Sequence, residues 1–183
     1  MADKVKFGIK NVHIAPMTDT TAETYGTVIA IPGAVSLSLE AQGDTSDFYA
    51  DNTKYFVSVA NNGYSGDLEI ANIPEEVLTA IFKFEEDTKK VLVENSKYEP
   101  VPFAMMWEQD GDVTGTKFCL YNCKATRPSR EFNTTTESKE VQTMTLSVVA
   151  SPLKNGQTIA MTTADTDSTV VSDWYTAPYV VTP

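Results

Sequence analysis

Val35, Leu37 and Leu39 alternate with Ser36, Ser38 and Glu40, which is the period-two signature of a strand with one apolar and one wet face. The strand begins after a Pro32-Gly33 turn. Residues Gln42 to Asn52 read as a long acidic inter-strand loop containing Gly43, Asp44, Asp47 and Asp51, and Tyr55 to Ala60 as a second apolar run. Asn62-Gly63 reads as the tight hairpin turn with positive backbone dihedrals. Leu68 and Ile70, alternating with Asp67 and Glu69, read as a third strand.

The same alternation recurs along the chain. Val5, Phe7 and Ile9, continuing through Val12 and Ile14, predict a first strand that stops at Pro16; the Thr-rich stretch from Met17 to Thr27 then reads as a loop and an exposed arm. Phe103 to Trp107 is apolar in both registers, which predicts a strand covered on both faces. Asp110-Gly111-Asp112 turns it back into Thr116 to Thr126, where Phe118, Leu120 and Asn122 face one way and Cys119, Tyr121 and Cys123 the other. A last long strand runs from Glu140 to Ala150, and Thr158 to Met161 follows the Asn155-Gly156 turn. The period changes at one place. Pro74 suits a first helical position, Glu75 and Glu76 fill the first turn, and Val77, Leu78, Ile81 and Phe82 share a face, predicting one flanking helix over 74–83 closed by Glu85 to Asp87. A C-terminal arm over 165–183 starts with a turn capped by Asp167 and carries Trp174 and Tyr179, which dock either on its own core or on a neighbour. The expected fold is mainly β, a β-sandwich or curved barrel with one flanking α-helix.

Length and charge narrow the function. A chain of 183 residues is most economically one domain over 1–183, able to bury about two-thirds of its unfolded surface. Its net charge of −11 is opposite to what phosphate neutralisation requires, so tight nucleic-acid binding is not expected. No signal peptide or spanning run is visible, so the expectation is a chain made and kept in the cytosol, away from membranes. Cys119 and Cys123, on one strand, would lie ~13 Å apart by the strand rise, outside disulfide reach, and read as small buried hydrophobes.

Candidate chemistry is sparse. His13 is the one histidine and has no nucleophile-elbow motif to serve. The two cysteines lack the spacing of a zinc knuckle, and Asp110-Gly111-Asp112 and Asp165-Thr166-Asp167 lack the glycine and glutamate of a calcium loop. No catalytic set, cofactor or metal is implied. A carbohydrate- or other ligand-binding β-sandwich, using Tyr49, Tyr64 or Trp174, is the alternative; a two-carboxylate hydrolase is a weaker one.

The ordered set KVKFGIKNVHIAP (4–16), IPGAVSLSLE (31–40), FYADN (48–52), NNGYSGDLEIANIPEEV (61–77), PFAMMWEQDGD (102–112), CLYNCKATRPS (119–129) and EVQTMTLSV (140–148) resembles the major tail proteins, or tail-tube proteins, of long-tailed, siphovirus-type bacteriophages. The resemblance implies a structural, non-enzymatic subunit of the virion, assembled in the host cytoplasm as stacked, hexameric rings whose lumen conducts the genome during ejection. Its implied partners are further copies of itself and the tape-measure, tail-terminator and distal tail or baseplate proteins. DNA passes without specific binding, since an acidic bore repels phosphate. Some relatives add an immunoglobulin-like domain, for which this chain is expected to be too short. By the same analogy Gln42, Gly43, Asp44, Thr45, Ser46, Asp47, Phe48, Tyr49, Asp51 and Asn52 would reach an adjacent subunit or ring, and Ser36, Ser38, Glu40, Asp67, Glu69, Thr143 and Thr145 would face the lumen.

Overall fold

The computed structural model describes residues 8–111, 115–130, 132, 134 and 142–181. The strands are β1 (Gly8–Asp19), β2 (Thr24–Tyr25), β3 (Ile29–Ala30), β4 (Ala34–Gln42), β5 (Thr45–Ala50), β6 (Thr53–Val59), β7 (Gly63–Ile70), β8 (Glu85–Glu86), β9 (Leu92–Val93), β10 (Phe103–Asp110), β11 (Lys117–Ala125), β12 (Met144–Ala150) and β13 (Ile159–Met161). Two short helices, α1 (Glu75–Ala80) and α2 (Ser168–Asp173), complete the described elements. The fold is mainly β. A nine-stranded antiparallel sheet runs β2-β1-β10-β11-β12-β7-β4, with β3 also on β1 and β13 also on β11. The sheet curls, so that β1 and β4, from opposite sides of it, come close together.

Curling places one apolar face inside. Val12, Ile14, Leu68, Ile70, Phe103, Met105, Leu120, Leu146 and Val148 fill it, and α1 adds Val77 while Ile81 and Phe82 follow from its C-terminal end. The other face of β1, β10 and β11 holds a second cluster of Ala15, Met17, Ala104, Met106, Cys119 and Tyr121. Trp174 covers that cluster, donating from Nε1 to the Phe118 carbonyl at 3.3 Å. Phe103 to Trp107 is therefore buried on both sides, as its doubly apolar pattern predicts. The C-terminal arm docks on its own core. Tyr121 Oη donates to the Tyr179 carbonyl, and the Gln157 side chain donates to the Val181 carbonyl (2.9 Å) while accepting from its N–H (3.3 Å).

Several boundaries differ from the sequence reading for physical reasons. β1 continues through Pro16, which pairs with Phe103. The Pro16 carbonyl accepts from Gly26, so its missing N–H falls on the side of the short β2 and β3 strands, and the β10 ladder loses no bond. The Thr-rich arm is instead a turn tied down by Lys154, whose N–H reaches Glu23 Oε1 at 2.9 Å and whose Nζ reaches the Thr21 carbonyl at 2.6 Å. Pro74 is extended and sits just before the helix, which ends by Ala80; Glu85 and Glu86 do not close it but pair with β9. Asn122 adopts φ 45° at a bulge, where Tyr121 and Asn122 on β11 stand against Ala104 alone on β10. The extra residue flips the alternation, so Cys123 enters the first cluster while Cys119 stays in the second. The N-terminal residues of the first predicted strand (4–7), Asp112, and Glu140 and Val141 of the last strand lie outside the described residues.

Candidate assembly surfaces

The wet faces of β12, β7 and β4 form one polar surface. Thr145 lies across from Glu69 and Glu69 across from Ser36; the next rows are Ser147, Asp67, Ser38 and then Val149, Ser65, Glu40. Thr143 precedes β12 and joins the first row by donating to Glu69 Oε1 at 2.6 Å, while Ser36 donates to Glu69 Oε2 at 3.0 Å. Ser147 donates to Asp67 at 2.5 Å. The hydroxyls of Thr143 and Ser36 hold the Glu69 carboxyl below its usual range. Ser36, Ser38, Glu40, Asp67, Glu69, Thr143 and Thr145 thus share one surface, and β4, β7 and β12 contain no lysine or arginine. Val35 departs from its pattern. A register shift between Ala34 and Ser36 leaves it exposed, where the alternation places it inside.

Residues 42–52 are not a loop. Thr45–Ala50 is a strand paired with Thr53–Val59, and the tight turn is Asp51-Asn52, both with positive φ (51° and 59°). Gly63 has φ 98°, but Asn62 does not share the left-handed conformation, so Asn62-Gly63 is not the hairpin turn. Carbonyls of Gln42 and Asp44 accept from Asn62 and Ala60, which carries the β4–β7 ladder into β5–β6 as one ribbon. At its base, Gly43 is obligatory: a Cβ there would sit 1.9 Å from the Ala60 carbonyl oxygen. Ser46, Asp47, Phe48 and Tyr49 all lie on the ribbon, with Gln42 ending β4.

The ribbon exposes apolar side chains on both faces. Phe48 is opposite Phe56 on one, and Thr45 and Asp47 are opposite Val59 and Val57 on the other, where Asp47 also pairs with Lys54 at 2.7 Å. Phe48 and Phe56 are each 60% exposed, and Tyr55 is 76% exposed. The run Tyr55 to Ala60 therefore is not core. Two further features had no signal in the alternation. A groove of about 470 Å³ opens beneath α1, lined by Ile73, Leu78, Phe84, Leu92 and Met144 among others. Phe132, on its rim, is 87% exposed.

Sites for chemistry are poorly furnished. Among the described residues no three His, Cys, Asp or Glu side chains gather as a metal site. His13 donates from Nδ1 to the Asn11 carbonyl at 2.8 Å and packs 4.4 Å from the Tyr175 ring. Burial pushes the Cys119 thiol up to about 12, and raises Cys123 as well. Of the aromatic residues suited to a sugar platform, Trp174 is buried, Trp107 is buried against Phe118, and Tyr64 packs against the core; Tyr49 remains exposed on the ribbon. No helix among the described residues is long and apolar enough to cross a membrane.

By sequence, the chain matches no family model and no curated protein. By structure, it is similar to a chain in the cryo-EM structure of the anti-feeding prophage (AFP) baseplate, 6-fold symmetrised, with TM-score 0.52 and 12% identity over 90% of this chain and 99% of that one. It is also similar to a chain in the PVC extracellular contractile injection system, in the sheath/tube terminator in its extended state, with TM-score 0.50 and 12% identity over 88% of this chain and 100% of that one. At this identity the likeness establishes a shared mainly-β fold.

Proposed function

We propose that this chain is a non-enzymatic structural subunit of a phage-type tail, residues 1–183 acting as one tail-tube domain that assembles into stacked, hexameric rings around a genome-conducting lumen. The observation that carries this reading is the β5–β6 ribbon. It exposes aromatic and β-branched side chains on both faces and has no core of its own, and a two-stranded hairpin of that kind is marginal in water unless something covers it. The ribbon is the contact arm to an adjacent subunit or ring.

The polar face of β12, β7 and β4 lines the bore. Its carboxylates repel DNA phosphate, and Ser36, Thr143 and Ser147 spend their hydroxyl donors on Glu69 and Asp67, which leaves little to grip a passing strand. Similarity of fold to chains found within a baseplate and a sheath/tube terminator supports the reading. Tape-measure, tail-terminator and distal tail or baseplate proteins are its further partners, in a virion assembled in the host cytoplasm. Replacing residues 44–60 by a short Gly-Ser turn tests the arm. The expected product is a folded monomer with unaltered far-UV circular dichroism apart from the ribbon, which no longer forms tubes; tubes formed by the deletion variant refute the assignment.

A further inference from the structure

Asn-Gly occurs twice in the chain, at Asn62-Gly63 and Asn155-Gly156, and the fold treats the two pairs differently. In this dipeptide the asparagine side chain is open to attack by the next backbone nitrogen, because glycine puts no Cβ in the way and lets the chain rotate. Asn62 and Gly63 are held in the sheet. The Asn62 N–H donates to the Gln42 carbonyl at 2.8 Å, and the Gly63 N–H is spent on Asn61 Oδ1 at 3.1 Å. Gly63 is also buried, so close to β12 that a Cβ would sit 1.9 Å from the Ala150 carbonyl oxygen.

Asn155 and Gly156 are both exposed, in the turn that leads to β13. Gly156 has φ 83° and open space where a Cβ would stand, so its peptide swings without displacing a neighbour. Asn155 Oδ1 accepts from the Gln157 N–H at 3.0 Å. That bond folds the side chain over the peptide joining Asn155 to Gly156, and it draws electron density from Cγ as a donor aimed at a developing oxyanion does. One contact opposes attack: the Gly156 N–H donates to the Leu153 carbonyl at 2.8 Å and must leave it first.

We propose that Asn155 deamidates spontaneously and that the isoaspartyl product loosens the C-terminal arm. Hydroxide takes the Gly156 amide proton, the nitrogen bonds to Asn155 Cγ, and the side-chain nitrogen leaves as ammonia with a proton from water. The succinimide then adds water and opens to aspartate or isoaspartate. In isoaspartate the main chain runs through the former side chain, which lengthens the turn by a methylene and turns Oδ1 into a backbone oxygen. Gln157 feels this directly, since its N–H loses the acceptor it had. The Gln157 carbonyl accepts from the Leu153 N–H at 2.8 Å, and its side chain clasps Val181, donating to the carbonyl at 2.9 Å and accepting from the N–H at 3.3 Å. A displaced Gln157 releases that clasp.

The test ages the full chain for days at mildly alkaline pH, dilute enough to stay unassembled. Samples are digested in acid, where conversion stops, and read by mass spectrometry, with isoaspartate counted by enzymatic methyl transfer. Asn155 is expected to convert about tenfold faster than Asn62 or more, because freeing Gly63 also breaks sheet hydrogen bonds, each worth up to about tenfold in the open population. Hydrogen exchange over 175–181 is expected to quicken by about tenfold in the isoaspartyl fraction, for the loss of the Gln157 clasp. Asn155→Gln, whose longer side chain does not close the ring, should neither convert nor change its exchange with age. No conversion at Asn155, or conversion at Asn62 equally fast, would overturn the site. Conversion that leaves exchange of 175–181 unchanged would overturn the effect on the arm, as would an equal loosening with age in Asn155→Gln.

Discussion

Trp174→Ala distinguishes an arm that belongs to its own subunit from one that belongs to a neighbour. Trp174 is 3% exposed, stacks 6.0 Å from Tyr179, donates to the Phe118 carbonyl and lies over the cluster of Ala15, Met106, Cys119 and Tyr121. Removing a buried Trp typically costs about 3–5 kcal/mol, the transfer term plus the cavity it leaves. That is a large part of the ~5–15 kcal/mol that holds an ordinary domain together. For a chain of this length each kcal/mol moves Tm by about 2–4 °C, so the expected fall is about 6–20 °C. Thermal melts followed by circular dichroism at two concentrations a hundredfold apart, the lower below the onset of assembly, make the test. The fall is expected at both concentrations, because the contact is intramolecular. An unchanged Tm in the dilute sample together with lost assembly would show that Trp174 docks on another copy.

Gly43→Val is expected to open the ribbon at its base, since no Cβ fits 1.9 Å from the Ala60 carbonyl oxygen, while leaving the sheet folded; hydrogen exchange should speed up in residues 44–60 and stay protected in β10 and β11. Acid is expected to destabilise the wet face. Glu69 titrates below its ordinary value of 4.5 because Thr143 and then Ser36 donate to it, so its contribution is complete above that value and is lost as pH falls through the lowered one. Urea unfolding between pH 7 and 3 should therefore show a shallower acid dependence for Glu69→Gln than for the wild-type chain, and equal slopes would refute the assignment. Asp167, held low first by the Thr169 hydroxyl and then by its backbone N–H, should behave in the same direction.

What the sequence makes legible depends on whether a segment has one wet face. β4 beyond Val35, β7 and β12 alternate cleanly, and their polar residues, Ser36, Ser38, Glu40, Asp67, Glu69 and Thr145, are found on one surface with Thr143 bonded to its edge. The helix is legible from Pro74 and its apolar spacing, although the chain leaves it by Ala80. The ribbon defeats the same logic. Phe48, Phe56, Val57 and Val59 would mark a core in an ordinary strand, but here both faces are exposed, and Asp51-Asn52 is a less familiar turn pair than the Asn62-Gly63 that follows. Cys123 was beyond reach for another reason, since a single bulge at Asn122 reverses every later side chain on β11. Likewise, the groove is made by a loop, a helix and the ends of distant strands, a juxtaposition that only the folded chain displays.

The central claim is that this chain builds a tube, and negative-stain electron microscopy of the purified protein across concentration and salt tests it most directly. The account predicts rings of uniform diameter with a central hole that stack into hollow tubes as concentration rises, and that become single particles when Phe48 and Phe56 are both replaced by serine. Monodisperse single subunits at every concentration and salt, unchanged when the other tail proteins are co-expressed, would contradict it.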